Sequence, residues 1–309
     1  MKKLRKALEE YLTIRRTLGF KLRLAGAALL KFVSFLEQEK SSVITTNLAL
    51  RWATQIANVQ SAQWANRLGM ARQFAKYRSA TDSRTEIPPE GLLPYKYHRK
   101  PPYIYSDAEI IKLLKSAQRL PSPTGLRPKT YVTLFGLIAV TGMRISEIIG
   151  LNNDDVNLNQ GVLTIRQTKF GKTRLIPIHS STQRKLRQYV RFRDKIYPKQ
   201  KIPNFFVSEL GTRLRDDIVR WTYVRLSRKI GLRGQSDSHG PRLHDFRHRF
   251  AVKTILGWYR KNIDVERHMP ELSTYLGHTH VNDTYWYLSA TPELLQLVAK
   301  RLDRKKDIL

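Results

Sequence analysis

Val162-Leu-Thr-Ile-Arg-Gln-Thr168 and Arg174-Leu-Ile-Pro-Ile178 stand in a chain whose apolar residues otherwise recur mostly at helical spacing. Both runs are short and rich in β-branched residues, and Gly171 lies between them where a turn needs conformational freedom. They predict two strands joined through Lys169 to Lys172. Outward from this hairpin, helical signals take over. Upstream, Ser106-Asp-Ala-Glu109 is a capping-box pattern that opens a helix through Ile110, Leu113 and Leu114. An apolar helix is expected around Tyr131 to Val140 and another from near Arg144. Downstream the pattern is helical, punctuated by Pro241, Pro270 and Pro292. Residues 106–309 thus read as an α+β domain, mainly α with a small β-sheet inserted.

Residues 1–85 carry their own pattern. Leu4, Leu8, Tyr11, Leu12 and Leu18, then Leu29, Leu30, Phe32, Val33, Phe35 and Leu36, follow a helical period. Two more helices are expected near Thr45 to Ile56 and Ala62 to Tyr77, which makes this region a small helical bundle. Residues 86–105 hold Pro88, Pro89, Pro94, Pro101 and Pro102 with Gly91, the composition of an extended linker.

Charge points to the partner. The chain has 56 Lys+Arg against 25 Asp+Glu, a formal net charge of +31, and a pI of about 10.5, far beyond what solubility requires. Residues 1–105 hold 19 basic and 7 acidic side chains, and residues 106–309 hold 37 and 18, so the excess lies in both halves. A polyanion is the expected partner, with both halves on its phosphates. Binding RNA or an anionic membrane without chemistry is the plainer reading of charge alone. The absence of cysteine excludes disulfides and thiolate metal sites and fits a reducing cytoplasm. The basic start is followed by a stretch broken by Glu9, Glu10, Arg15 and Arg16, so no export signal is read there. The apolar run Val132 to Met143 falls short of the roughly 20 residues of a membrane span.

Six residues of the second half carry the chemistry. Arg144 stands in Thr141-Gly-Met-Arg-Ile-Ser-Glu147, Lys169 in the hairpin, His244 and Arg247 in His244-Asp-Phe-Arg247, His278 in Leu276-Gly-His278, and Tyr287 nine residues later. Arginine holds two phosphate oxygens in a planar fork, tyrosine can attack phosphorus, and lysine and histidine can carry protons. Arg144 opens a helix, where free backbone N–H groups also favour phosphate. His244 and Arg247, one turn apart, share a helix face. Singly each signal is weak: Arg144 could merely pair with Glu147, a hairpin lysine is usually solvated, and His-x-x-Arg recurs by chance in a basic chain. His268, His278 and His280 lack the cysteine or well-spaced carboxylate that a metal site would need. No nucleophile elbow or Walker loop is present.

As an ordered set, these boxes resemble those of the tyrosine recombinase (phage integrase) family. Residues 106 to about 290 resemble its catalytic domain and residues 1–85 its helical core-binding domain. The resemblance implies a site-specific recombinase that cuts and rejoins double-stranded DNA to integrate or excise a mobile element, without cofactor or metal. Arg144 and Arg247 would clamp the scissile phosphate with help from His278. Tyr287 would attack to give a 3'-phosphotyrosyl link and a free 5'-hydroxyl, His244 would accept the tyrosine proton, and Lys169 would protonate the departing 5'-oxygen. Tyr285 is the rival nucleophile, but the family's spacing from the histidine selects Tyr287. Glu147 reads as a supporting group that orients its neighbours. An amphipathic helix over Glu293 to Arg304, with Leu294, Leu295, Leu297, Val298 and Leu302, would dock on the next protomer of a homotetramer on DNA, the free protein being monomeric. Packing on its own domain is the alternative. A type IB topoisomerase-like activity is the rival chemistry, opposed by the two-domain layout and short boxes. A catalytically silent DNA-binding relative is opposed by the presence of every expected catalytic residue type.

Cutting the chain within residues 86–105 should leave two pieces, each binding duplex DNA far more weakly than the intact protein, because a tether raises the effective concentration of the second module. A gel-shift titration checks this, and undiminished affinity in the C-terminal piece would count against it.

Overall fold

The computed structural model describes residues 2–95, 102–166, 173–199, 202–289, 292–297 and 299. Two compact units divide the chain, Met1–Lys100 and Pro101–Leu309. The first contains α1 (Lys2–Thr17), α2 (Arg23–Gln38), α3 (Thr46–Thr54) and α4 (Ser61–Ser79). Leu4, Leu8 and Leu12 of α1 meet Leu29, Phe32 and Leu36 of α2 in one core with Leu68 and Phe74 of α4, as their helical spacing demands. Thr45 caps α3, its hydroxyl accepting from Leu48 N at 3.2 Å. Trp52 is buried beneath the Arg67 guanidinium, 3.9 Å from the ring centroid, with Phe32 4.8 Å away.

The proline-rich stretch is less free than its composition suggests. Arg72 donates to the carbonyls of Pro88 and Pro89, each at 2.7 Å, and the Glu86 carboxylate accepts from Thr46 N at 2.7 Å. Leu93 packs on the same core. Tyr105, 2% exposed, belongs to the core of the second unit. The described residues 86–95 carry no helix or strand, and on this side the stretch is held by Arg72 on two carbonyls and by Thr46 N on the Glu86 carboxylate; residues 96–101 lie outside the described residues.

The second unit opens with α5 (Asp107–Ala117), whose capping box is present: Ser106 Oγ accepts from Glu109 N and the Glu109 carboxylate from Ser106 N. The apolar α6 (Leu126–Thr141) ends at Gly142, with φ of +62°. A Cβ there would lie 2.8 Å from the Phe250 ring, so glycine serves both the turn and the close approach. After α7 (Ile145–Ile149) comes an antiparallel sheet, β1 (Val156–Asn157), β2 (Val162–Ile165) and β3 (Arg174–Pro177), in that order. Ile165 pairs with Arg174 and Leu163 with Ile176. The two strands expected from sequence are joined by a third, β1, whose two residues are too few to show a period. Residues 167–172, and with them Lys169, lie outside the described residues.

Then come α8 (Ser180–Ile196), α9 (Asp216–Lys229), α10 (Asp245–Arg260), α11 (Val265–Leu276) and the short α12 (Asn282–Tyr285), leading into a 3-10 turn, Trp286–Ser289. Val252 and Ile255 of α10, Met269 and Leu276 of α11, Tyr287 and Leu294 form one apolar cluster. Residues 292–297 are helical. Leu294 is fully buried and Leu297 packs beside it, while Glu293 binds Arg260 at 2.5 Å. For these residues the apolar stripe expected to face a neighbouring protomer folds back on its own domain, because α10 and α11 leave an apolar face within its reach. Leu295 stays 53% exposed. Among the described residues no helix is long and apolar enough to cross a membrane.

Trp52→Ala should destabilise the first unit by about 3–5 kcal/mol, the usual cost of removing a buried aromatic, and Trp52→Phe by much less. Denaturant unfolding followed by circular dichroism measures both; equal, small losses would mean that the pocket under Arg67 collapses without cost.

Candidate active site

Arg144 precedes α7 and is positioned by the residue three places on. Its N–H donates to Glu147 Oε2 and its Nη1 to Oε1, each at 2.9 Å, while Nη2 donates to the carbonyl of Gly277 at 3.2 Å. The Glu147 side chain is only 8% exposed and meets a second arginine. Arg174 Nη1 and Nη2 grip the same carboxylate at 3.1 and 2.8 Å, and Arg174 Nε donates to the carbonyl of Tyr275 at 2.8 Å. Sequence reading did not single out Arg174. Its signal was alternation: Arg174, Ile176 and Ile178 fall on one side of β3, so this arginine points inward with the apolar residues.

Arg247, in the first turn of α10, is 1% exposed. It donates from Nη1 to the carbonyl of Gly142 at 3.1 Å and from Nη2 to that of Leu276. The carbonyls of Tyr275, Leu276 and Gly277 thus accept from Arg174, Arg247 and Arg144 in turn. Gly277, with φ of +68°, closes α11, and a Cβ on it would fall 2.8 Å from Arg174 Nη1. His278 follows directly, its Nδ1 2.7 Å from the hydroxyl of the buried Thr284.

Tyr287 is 2% exposed, whereas Tyr285 is 39% exposed. The Tyr287 ring lies nearly parallel to His278, centroids 6.2 Å apart. Its hydroxyl stands 3.3 Å from Nδ1 of His248, a residue that the sequence reading did not select. His248 is one turn beyond His244 on α10, a spacing that puts both on one face, and the two rings meet edge to face at 4.8 Å. The structure therefore gathers Arg144, Arg247, His278 and Tyr287 around the end of α11, with His244 joined through His248. Arg174 and His248 are additions to the set.

The surroundings are strongly cationic. Burial, then the charges of Arg247 and Arg144, push His278 down to about 4. His244 keeps one side open to solvent, yet the packing on its other side and the charge of Arg247 also lower it to about 4. Arg247 itself falls to about 10, through burial and the nearby Arg144. Glu147 goes the other way: burial would raise it, but the bonds and charge of Arg174, and then Arg144, hold it below the usual carboxylate range. Both histidines are thus neutral at pH 7, and an anion entering the cluster would relieve its repulsion. Among the described residues no group of histidine and carboxylate side chains is close enough together to hold a metal ion.

The description "Phage integrase family" matches residues 105–293. The integrase/recombinase-type protein y4rB of Sinorhizobium fredii is 49% identical over 309 residues, covering 99% of this chain and 98% of that one. The chain belongs to the phage integrase family. It is a site-specific DNA recombinase of the tyrosine recombinase kind. The tyrosine recombinase XerD of Neisseria meningitidis serogroup B is 26% identical over 249 residues, covering 80% of this chain and 79% of XerD. Among solved structures, the Tn1549 transposon integrase in complex with transposon right end DNA has a TM-score of 0.64 at 15% identity, covering 97% and 99% of the two chains. A lambda integrase tetramer bound to a Holliday junction has a TM-score of 0.58 at 18% identity, covering 90% and 77%.

The lowered histidines set a pH dependence. A group that binds its proton less readily when folded contributes stability that is complete above its unfolded value and is lost as pH falls toward its folded one. For His244 and His278 that window runs from about 6.5 down to about 4. The thermal midpoint of the DNA-free recombinase should drop across it, and His278→Asn should flatten the drop. An unchanged profile in the variant would contradict the assignment.

Proposed function

We propose that the cluster around the end of α11 cleaves a DNA phosphodiester with Tyr287 as nucleophile, through a 3'-phosphotyrosyl intermediate. One observation carries this reading: Arg144 and Arg247 converge on the adjacent carbonyls of Gly277 and Leu276, beside His278, whose ring lies along Tyr287. Two guanidinium groups that end on adjacent carbonyls, one buried and one partly open to solvent, suit the two non-bridging oxygens of a phosphodiester. They also oppose the further charge that builds on those oxygens in the transition state, and His278 adds a ring donor. An ordinary phenol ionises near pH 10, so Tyr287 must give up its proton to a neighbouring base as it attacks. A histidine of α10 takes that proton, and His244 is the one to which the family's boxes point. Lys169, from the hairpin, protonates the departing 5'-oxygen. The phosphotyrosine keeps the energy of the broken bond, so the 5'-hydroxyl of a second strand can rejoin without ATP, cofactor or metal.

In this reading the first unit is the core-binding domain, and its cations hold the duplex. Four protomers act on two duplexes, in contact through the C-terminal segment, where Leu295 is exposed while Leu294 and Leu297 pack on their own domain, and the free protein is a monomer of the cytoplasm. The integrase/recombinase description of y4rB supports integration or excision of a mobile element as the outcome.

A nicked duplex bearing the recombination site tests the assignment, because it traps the covalent adduct on a denaturing gel. Tyr287→Phe should bind DNA and form no adduct, while Tyr285→Phe should keep activity. Arg247→Ala should slow cleavage on the order of 100-fold or more with a far smaller effect on binding, and excess EDTA should leave cleavage intact. An adduct that survives Tyr287→Phe and vanishes in Tyr285→Phe would reverse the assignment of the nucleophile.

A further inference from the structure

We infer that His248 is the base that takes the proton from Tyr287, with Asp245 as the residue that orients it. The inference rests on the reading of Tyr287 as the nucleophile and replaces His244 in the proton-accepting role. His248 Nδ1 stands 3.3 Å from Tyr287 Oη, close to the range of a working nucleophile–base pair, which is commonly somewhat long before substrate binds. Both groups are buried, at 5% and 2% exposure. The imidazole is fixed from several sides: Tyr287 at 5.5 Å between centroids, Trp286 at 5.4 Å and the edge of His244 at 4.8 Å. A ring so confined cannot swing its nitrogen away from the phenol.

Behind it stands a carboxylate. Asp245, 2% exposed, places Oδ1 3.9 Å from His248 Nε2, too long for a direct hydrogen bond but on the side of the ring opposite Tyr287. Arg242 holds that carboxylate, from its N–H at 2.7 Å and its Nη2 at 3.0 Å. Among the described residues, the charged or titratable groups that meet His248 include His244 at the N-cap of α10, Asp245 in its first turn and Tyr287 from the 3-10 turn, with Arg242 behind Asp245. Accepting at Nδ1 requires the tautomer that carries its proton on Nε2, toward Asp245. The phenol is then at one ring nitrogen and the carboxylate nearer the other, the order of a nucleophile–histidine–carboxylate site with a longer second step.

The step balances. The Oη–phosphorus bond forms as the bond from phosphorus to the 5'-oxygen breaks, and the phenol proton passes to His248 Nδ1. The 5'-oxygen leaves with its electron pair and takes a proton from Lys169. On rejoining, the incoming 5'-hydroxyl returns its proton to Lys169, and His248 gives its proton back to Tyr287. His244, relieved of proton transfer, remains beside the phosphate as a hydrogen-bond donor.

The test measures first-order adduct formation by the full-length recombinase on the nicked duplex, at saturating protein and over a pH series. His248→Phe keeps the aromatic packing. It should slow adduct formation about 100-fold or more with DNA affinity unchanged, and its rate should keep rising with pH, because the phenol must then ionise without a base. A fluorinated tyrosine at position 287, which ionises at lower pH, should restore part of that rate, a response that packing alone would not give. Asp245→Asn should show a smaller loss in the same direction. In the unaltered protein, nitrogen-15 NMR should find Nδ1 of His248 unprotonated, which decides the matter even where His248→Phe fails to fold. A wild-type rate in His248→Phe, a loss that fluorotyrosine leaves untouched, or a proton on Nδ1 would overturn this role for His248. An adduct that persists in Tyr287→Phe would instead overturn the reading of Tyr287, and with it the inference.

Discussion

Three consecutive carbonyls at the end of α11 hold the site together. The last carbonyls of any helix lack intrahelical partners and carry the negative end of its dipole. Here those of Tyr275, Leu276 and Gly277 accept from Arg174, Arg247 and Arg144, which arrive from a strand, the first turn of α10 and the start of α7. Burying a guanidinium is expensive without acceptors, so the helix end and the arginines need each other. Gly277 is what allows the approach. Its φ of +68° turns the chain, and any side chain there would enter the space that Arg174 occupies.

The arrangement stays deliberately unbalanced in charge. Glu147 lies between Arg144 and Arg174 and offsets one of them, while burial first and the charge of Arg144 second lower the affinity of Arg247 for its proton. Burial, reinforced by the charge of Arg247, lowers His244 and His278 in the same way. Such a site is less stable empty than filled, and this is the pattern expected where residues are kept for chemistry at some cost to the fold. On the proposed reading, a phosphodiester restores the balance on binding, and its transition state, with more negative charge on the oxygens, restores it further.

The sequence made part of this legible. The hairpin declared itself through β-branched runs around Gly171, and the capping box at Ser106 through its spacing. The two-residue β1 left no period to read, and the proline-rich stretch looked free because composition does not reveal that Arg72 and Thr46 bind it. In the site, Arg144, Arg247, His278 and Tyr287 could be picked out because each stands in a box with fixed neighbours. Arg174 and His248 were passed over for a shared reason. A buried polar residue is indistinguishable from a solvated one until its face is known, and only the alternation along β3 and the one-turn step from His244 encoded that face.

Tyr287 shows how packing and chemistry meet in one side chain. A tyrosine has an apolar body and a polar tip, so it can join a core while presenting its hydroxyl elsewhere. Its ring belongs to the cluster formed by Val252, Ile255, Leu276 and Leu294, and its hydroxyl reaches His248. Apolar contacts thus aim the proposed nucleophile without spending any of its hydrogen-bonding capacity. Because Leu294 belongs to the same cluster, the position of Tyr287 also depends on the helical residues 292–297 remaining docked where α10 and α11 meet, which ties the C-terminal segment to the geometry of the site through packing alone.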